Sequence, residues 1–348
     1  MRIFGSTRAT RVAAATVATV AALCLTGCWA PSPPTAGPPT PGPHIPATPE
    51  PAPAANSGWR APTVPRIVFR NTAPGADFGK VSSVALSAPR GERTVSPLTC
   101  ERVAATHTAL SCLSRLDTHP VGYRATLYEA DGSENVFWSL PGPPSRTRLS
   151  PDSQLAAWTG FVDGESYGGV AFSTQTIITR VHGAYYGPLD AFTFLLDGKP
   201  YAAADLNFWG VTFADDGNTF YATAASNGRT WLARGNIRGR TLVAVREGAE
   251  CPSLSPDGTR VAYKKNLGTA GAPRWTLAVY DLGSKAETVL PLAGHVDDQA
   301  EWLDDRTLLF GLPVAGSDGD FTVYSAPADG SAVESVFLEH AWSSSVVR

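Results

Sequence analysis

Charge is scarce in this sequence, and basic residues show no excess over acidic ones. Charged residues make up 17% of the 348 residues, and the formal net charge is −3 at pH 7. A protein that binds nucleic acid usually has a patch of lysine and arginine that contacts the phosphates, and the sequence contains no stripe of basic residues that would form one. We therefore expect no nucleic-acid partner.

Three further patterns are missing. The six histidines show neither the HExxH spacing nor any other zinc-binding spacing. No glycine-rich loop of the phosphate-binding kind is present, and no long stretch has the periodicity of an amphipathic helix. The first two absences give no sign of a zinc site or a phosphate-binding loop, and the absence of long amphipathic helices among the short predicted strands predicts an all-β fold.

The N-terminus has the pattern of an export signal. Three arginines precede an apolar run over residues 12–25, which is too short to cross a membrane as a helix. The run ends in Leu-Thr-Gly-Cys28, which resembles the bacterial lipobox and implies that Cys28 becomes the diacylated first residue after cleavage. We predict a lipoprotein signal peptide over residues 1–28 and a lipid anchor on the outer face of the plasma membrane. An ordinary secretory signal with a chance cysteine is the alternative.

Residues 29–65 are predicted to form a disordered linker, because they are rich in proline, alanine and threonine. This composition cannot pack a core and favours polyproline II. At ~3.1 Å per residue the segment could reach on the order of 100 Å. It is either a stalk that lifts the next domain away from the lipid or a spacer of no particular length.

One short phrase recurs four times in the rest of the chain. Each copy has an apolar residue, then Ser-Pro-Asp or an Asp-Asp equivalent, then a strand that ends near an aromatic residue; the copies span residues 148–158, 211–221, 254–263 and 301–310. Proline, aspartate and glycine suit a tight turn between two strands. Two of the three spacings are near the ~40–45 residues of a four-stranded propeller blade. The first spacing is longer, and residues 197–200 are predicted to lie in a loop inserted there.

These sequence motifs resemble those of the TolB-type β-propeller family, and more closely those of the TolB-like lipoproteins of actinobacteria. The resemblance is carried by the four spaced copies of the phrase, of which only residues 255–258 are a complete Ser-Pro-Asp-Gly, and by the segments at residues 207–213, 250–258 and 296–304. It covers residues 66–348 and implies a β-propeller over that range. It brings no known activity with it.

The two ends of this range predict how the propeller closes. Residues 341–348 form one strand without partners of its own, and the strands before the first full blade lack an innermost strand. Joining them makes one composite blade, which protects the sheet edges. We predict six blades of four-stranded antiparallel sheet, with seven blades as the alternative.

The cysteines of this range suggest one disulfide. Cys100 and Cys112 are equidistant from a hairpin centre near Thr106, so they should face each other across two strands. The alternative is a pair of reduced, buried thiols. Cys251 is then unpaired and predicted to be a small buried residue.

The best candidate site is acidic. Polar residues begin equivalent strands of successive blades, and in a propeller the innermost strands line the central channel; the residues are Asn207, Glu250, Asp297, Asp298 and Glu301. We expect them at one channel mouth, where oxygen ligands suit Ca²⁺ or Mg²⁺, or the basic groups of a peptide partner. Turn capping and hydrogen bonding between blades is the alternative role.

No catalytic residue is predicted. Residues 164–168 match the G-x-S-x-G pattern, but that motif needs a strand-to-helix turn in an α/β sheet, and no such pattern follows here. Five tryptophans recur at blade positions, where core packing is the expected role; they are Trp158, Trp209, Trp275, Trp302 and Trp342.

The predicted function is that of a lipid-anchored, extracytoplasmic propeller that acts as a protein-interaction or scaffolding module at the cell envelope. Its expected partners are the membrane, through the anchor, and an envelope protein. The alternative is a receptor or enzyme that uses the acidic channel mouth for a carbohydrate, a peptide or a metal.

Overall fold

The computed structural model describes residues 50–51, 56–163, 172–269 and 271–348. The predicted signal peptide, its Cys28 and the G-x-S-x-G motif lie outside the described residues. The described chain consists of strands and one three-residue 3₁₀ helix, so the prediction of an all-β fold is confirmed. No helix in this part of the chain is long and apolar enough to cross a membrane.

Twenty-seven strands and the short helix make up the described chain. In chain order they are β1 (Glu50–Pro51), β2 (Arg66–Asn71), β3 (Lys80–Ala85), β4 (Thr94–Thr99), β5 (Arg102–Ala105), β6 (Ala109–Leu116), β7 (Gly122–Glu129), β8 (Glu134–Leu140), β9 (Pro144–Leu149), β10 (Leu155–Asp163), β11 (Ser173–Arg180), β12 (Tyr185–Pro188), the 3₁₀ helix Leu189–Ala191, β13 (Thr193–Leu196), β14 (Lys199–Tyr201), β15 (Asn207–Phe213), β16 (Thr219–Ser226), β17 (Arg229–Asn236), β18 (Thr241–Glu247), β19 (Glu250–Leu254), β20 (Arg260–Asn266), β21 (Trp275–Asp281), β22 (Glu287–Val289), β23 (Glu301–Asp304), β24 (Thr307–Pro313), β25 (Phe321–Pro327), β26 (Ser335–Leu338) and β27 (Ala341–Val347).

These strands form six blades, each built on four antiparallel strands. From the innermost strand outward, blade 1 is β27, β2, β3 and β4; blade 2 is β5 to β8; blade 3 is β9 to β12; blade 4 is β15 to β18; blade 5 is β19 to β22; and blade 6 is β23 to β26. Each innermost strand contacts the innermost strands of both neighbouring blades, so the blades close into a ring.

Blade 1 closes the ring with strands from both ends of the described chain. Strand β27 pairs antiparallel with β2, with Arg66 opposite Val347 and Asn71 opposite Ala341. The prediction of six blades with one composite blade is therefore confirmed, and the seven-bladed alternative is wrong. The ladder satisfies backbone groups that would otherwise be exposed at two strand edges.

The recurring phrase forms the turn between the first two strands of blades 3 to 6, as predicted, and its complete Ser-Pro-Asp-Gly form lies in blade 5. In blade 5 the carboxylate of Asp257 accepts hydrogen bonds from the Ser255 hydroxyl at 2.5 Å and from the backbone N–H of Thr259 at 3.0 Å. Gly258 has φ of +68°, a conformation that costs glycine little because it has no Cβ. The turn residues are thus held by the phrase itself.

The hydrophobic core lies in layers between neighbouring blades rather than at one centre. Between blades 2 and 3, for example, the ring centroids of Trp138 and Trp158 are 4.4 Å apart. Trp158, Trp209 and Trp302 are buried, which confirms their predicted packing role. Trp275 and Trp342 are only half-buried, and both contact charged side chains near the channel.

Blade 4 carries an insertion that differs from the prediction. Residues 197–200 were expected in a loop, but β13 and β14 form a hairpin there, and β13 extends the sheet by pairing parallel to β18. The physical reason is packing: Phe194 of β13 is buried against Phe208 and Trp231 of the blade.

The disulfide between Cys100 and Cys112 is present, with their Cα atoms 5.5 Å apart, so this prediction is confirmed. The predicted strand register is wrong, because Cys112 faces Val103 and the turn runs from Thr106 to Ala109. Cys100 lies on the connection from β4 to β5, so the bond ties the crossover between blades 1 and 2 to β6. Cys251 is buried, as predicted.

Packed structure extends to the N-terminal side of residue 66, the predicted start of the propeller. Trp59 is 3% exposed and packs with both disulfide cysteines in the layer between blades 1 and 2. Further toward the N-terminus, β1 pairs antiparallel with β8, the outer strand of blade 2. Part of the segment predicted as linker therefore belongs to the folded propeller.

Candidate functional site

The central channel has two distinct mouths, because the last residues of the innermost strands of blades 1 to 5 line the same mouth, together with Trp302 of blade 6. We call the end where these strands begin the start mouth. The end where they finish, at the turns that carry the recurring phrase, is the end mouth. The sequence placed the candidate acidic residues at strand beginnings and so predicted them at the start mouth.

The middle of the channel is filled by residues 297–301, which lead into β23 of blade 6. The carboxylate of Asp298 lies 3.5 Å from the guanidinium group of Arg102 in blade 2 and 3.6 Å from that of Arg146 in blade 3. It also accepts a hydrogen bond of 2.8 Å from the indole N–H of Trp342 in blade 1. One buried carboxylate thus joins four blades, and the space left beside it is only about 30 Å³.

Two neighbours of Asp298 extend this bridge toward other blades. Gln299 donates a hydrogen bond of 2.6 Å to the carbonyl oxygen of Pro252 in blade 5. Glu301 pairs with Arg148 of blade 3, on the opposite side of the ring. Arg148 also donates to the carbonyl oxygen of Ala300 at 3.1 Å. Residues 297–301 therefore act as a polar plug, and these contacts leave their charged groups paired.

The start mouth contains a buried lysine held between two carboxylates. Lys264 is 1% exposed; its ammonium group contacts Asp297, lies 3.8 Å from Glu250 and is 4.3 Å from the ring centroid of Trp275. Burial opposes the charged form of Lys264, but the negative groups around it outweigh burial and raise its pKa. The lysine is therefore a charged structural group rather than a nucleophile.

The two carboxylates beside Lys264 differ in their protonation behaviour. Burial raises the pKa of Glu250 above its usual value, although Lys264 acts against this. Burial also disfavours the charged form of Asp297, but the ammonium group of Lys264 prevails and lowers the pKa of Asp297. Two neighbouring carboxylates with oppositely shifted pKa values are an arrangement capable of acid–base chemistry.

The structure separates the five predicted site residues. It brings Glu250 and Asp297 to the same lysine, Lys264, at the start mouth, but it puts Asp298 inside the channel and Glu301 in the lining of the end mouth. Asn207 accepts hydrogen bonds from the backbone and side chain of Thr174 at 3.0 and 2.7 Å, and so joins blade 4 to blade 3.

Sequence reasoning missed the cations that these carboxylates contact, which come from distant positions in the chain; they are Arg102, Arg146, Arg148 and Lys264. One signal was available. Arg146 and Arg148 are two residues apart in a strand, so their side chains share a face, and this strand begins a blade.

The end mouth opens into a cavity of about 390 Å³, which we call the basin. Every blade contributes to its lining; one residue from each of blades 1 to 6 in turn is Val346, Thr106, Ser150, Asp215, Asp257 and Trp302. The ion pair between Arg148 and Glu301 lies in this lining as well. The basin is thus the place where all six blades present residues to one open cavity.

Hydrogen bonds between blades hold the rim of the basin. The Ser153 hydroxyl donates to the Thr106 hydroxyl at 2.7 Å, which links blades 3 and 2. The backbone N–H of Asp257 donates to the Asp305 carboxylate at 2.9 Å, which links blades 5 and 6. The basin is therefore a preformed cavity, as binding sites usually are.

Metal binding has no ready-made ligand set here. Within residues 56–163, 172–269 and 271–348, no group of three or more histidine, cysteine, aspartate or glutamate side chains is arranged to hold a metal ion. At the start mouth, the Asp297 and Glu250 carboxylates face Lys264 instead.

Taken together, the ring of six blades and its filled channel define a β-propeller with an open basin at one mouth. Neither a protein-family model nor a curated protein matches the chain. Among solved structures, TolB from Acinetobacter baumannii is similar over 82% of this chain and 67% of that chain, with a TM-score of 0.55 and 14% identity. The β-propeller domain of the Trilobed protease from Pyrococcus furiosus matches over 69% of this chain and 70% of that chain, with a TM-score of 0.41 and 11% identity. The similarity to TolB and the ring of six blades give the chain a TolB-like β-propeller fold, as its sequence predicted.

Proposed function

We propose that this protein is a lipid-anchored, extracytoplasmic β-propeller that acts as a protein-interaction module at the cell envelope, with the basin as its docking face. The basin is the observation that carries the proposal. It is preformed, it is lined by all six blades, and its volume of about 390 Å³ lies within the range of binding sites. A rigid ring loses little conformational entropy when a partner binds.

The proposed location rests on the sequence of the N-terminus. The lipobox-like Leu-Thr-Gly-Cys28 supports an anchor, and the proline-rich segment after it supports a domain held away from the lipid. Replacing Cys28 by serine should release the protein from the membrane fraction and abolish labelling by an alkyne fatty acid. Full retention of the Cys28→Ser protein in the membrane would contradict the anchor.

Site-specific photo-crosslinking in intact cells tests the docking face. A photoreactive amino acid at Asp215 or at Pro151, both in the basin lining, should capture the same partner protein. The matched controls are Val243 and Val289, which are 41% and 39% exposed on the outer strands of blades 4 and 5. Equal capture from the control positions, or no capture from either basin position, would count against the basin as the docking face.

A receptor or enzyme at the start mouth is the second candidate function. It is favoured by the oppositely shifted pKa values of Glu250 and Asp297 beside Lys264. A thermal-shift screen against cell-wall fragments, short peptides and divalent metals tests it, because a ligand that binds only the native state raises its stability. A shift in the wild-type protein that disappears in the Glu250→Gln, Asp297→Asn variant would support this function, and a shift retained by that variant would place the ligand elsewhere.

A further inference from the structure

We infer that the basin binds a positively charged segment of the partner protein. This inference rests on the proposed function, because it assumes that the basin is the docking face. It adds the chemistry of what docks there.

The rim of the basin carries an excess of negative charge. The innermost strands of blades 2 to 6 end in turns over residues 106–108, 150–154, 214–218, 255–259 and 304–306. These turns contain one arginine, Arg306, and six aspartates, namely Asp152, Asp215, Asp216, Asp257, Asp304 and Asp305. A rim of this kind attracts cationic segments and repels anionic ones.

Arginines near the rim reduce its negative charge but do not cancel it. Arg260 lies 3.5 Å from the carboxylate of Asp257. Arg348 keeps its charge, because the group to which it donates is a neutral backbone carbonyl oxygen. The carboxylate of Asp215 makes no hydrogen bond or ion pair with any other residue in the described ranges. Counted with Arg306, three arginines face the six aspartates, so the net charge of the rim is negative and the Asp215 carboxylate is available to a ligand.

The apolar part of the lining suits lysine and arginine as well. Phe213, Leu254 and Val346 line the cavity together with Asp215. Long basic side chains can lay their methylene groups on such surfaces while their charged ends reach a carboxylate.

Fluorescence anisotropy with two labelled peptides tests the inference on the purified full chain. The probes are an acetylated Lys-Gly-Lys-Gly-Lys peptide and its counterpart with glutamate in place of lysine. The lysine peptide should bind and the glutamate peptide should not. Asp215→Asn should weaken binding of the lysine peptide about fivefold, the upper range for one solvent-accessible ion pair, and Asp215→Lys should weaken it further.

The control is Asp117→Asn, which removes an exposed carboxylate from the loop between β6 and β7 at the other end of blade 2. It should change the affinity less than twofold. Equal weakening by Asp117→Asn and Asp215→Asn would show attraction to overall charge only and would overturn the inference. So would tighter binding of the glutamate peptide. If neither peptide binds while crosslinking from Asp215 still captures a partner, the inference of a cationic segment is wrong, and the proposal that the basin is the docking face is retained.

Discussion

The buried carboxylate of Asp298 should be the most sensitive single charge in the channel. Asp298 is 7% exposed, and the guanidinium groups of Arg102 and Arg146, at 3.5 and 3.6 Å, are 9% and 6% exposed as residues. The Asp298→Asn substitution keeps the shape of the side chain and an oxygen that can still accept from Trp342. It removes the negative charge that both guanidinium groups contact, and it replaces the oxygen that accepts from Arg102 and from the backbone N–H of Gln299 by an amide N–H donor.

The expected cost follows from burial. Removing one partner of a buried ion pair typically destabilises a protein by about 3–5 kcal/mol, because the remaining charge is left in a medium that solvates it poorly. The cavity beside Asp298 is only about 30 Å³, so water has little room to replace the lost charge. We expect the free energy of unfolding to fall by about 3 kcal/mol or more.

Urea unfolding followed by tryptophan fluorescence measures this loss. Asp318→Asn is the matched control, because Asp318 is exposed in the loop between β24 and β25 and should change stability by less than about 0.5 kcal/mol. A loss below about 1 kcal/mol for Asp298→Asn would refute the reasoning, since it would mean that water or relaxation screens the two arginines inside the channel.

Three further predictions concern stability. Replacing Cys100 and Cys112 together by serine should cost about 3 kcal/mol, measured by urea unfolding of oxidised protein, because the disulfide closes a short loop in the unfolded chain; an unchanged midpoint would contradict this. Trp59→Ala should cost about 3–5 kcal/mol in the same assay, whereas Val64→Ala, at a side chain 55% exposed, should cost almost nothing; equal effects would mean that the segment before β2 adds no stability. Burial would raise the pKa of Asp257, but hydrogen bonds in its turn outweigh burial and lower the pKa from 3.8 to about 2. The charged carboxylate therefore stabilises the fold above pH 4, and this contribution is lost as the pH falls from 4 to 2. In the Asp257→Asn variant, the loss of unfolding free energy between pH 4 and pH 2 should be smaller by about 1 kcal/mol, after allowance for solvent screening at a side chain 35% exposed. A variant whose stability depends on pH as the wild type does would contradict this.

Local sequence patterns predicted the propeller well because its turns are built from adjacent residues. The Ser-Pro-Asp-Gly turn of blade 5 carries its own hydrogen bonds and its own glycine. In the related turns of blades 3 and 4, Asp152 and Asp216 likewise accept hydrogen bonds from residues of the same turn, so these copies also mark hairpins. The same locality explains two errors. Register in the hairpin of Cys112 and the strands of β13 and β14 depend on packing against distant residues, which a local pattern does not contain.

The candidate site was only partly predictable. The sequence identified the dense acidic segment at residues 297–301 and predicted it at a channel mouth; in the structure this segment forms ion pairs with the innermost strands of blades 2 and 3. It did not identify Arg102 or Arg146, which lie almost 200 and more than 150 residues earlier in the chain. Pairing across a ring brings together residues that share no local pattern, so their contacts are set by the closure of the blades.

What the sequence determined by itself is therefore the all-β class, the propeller repeat, the composite blade and the expectation of a lipid anchor. Each of these predictions follows from a pattern of adjacent residues or from a regular spacing along the chain. Only the tertiary structure shows that the acidic segment 297–301 lies in the channel and that Lys264 and the arginines neutralise it. It also shows an open basin at the end mouth, whereas the sequence predicted the candidate site at the start mouth. The physical reason is that charge balance and cavity shape arise only after six blades have met around one axis.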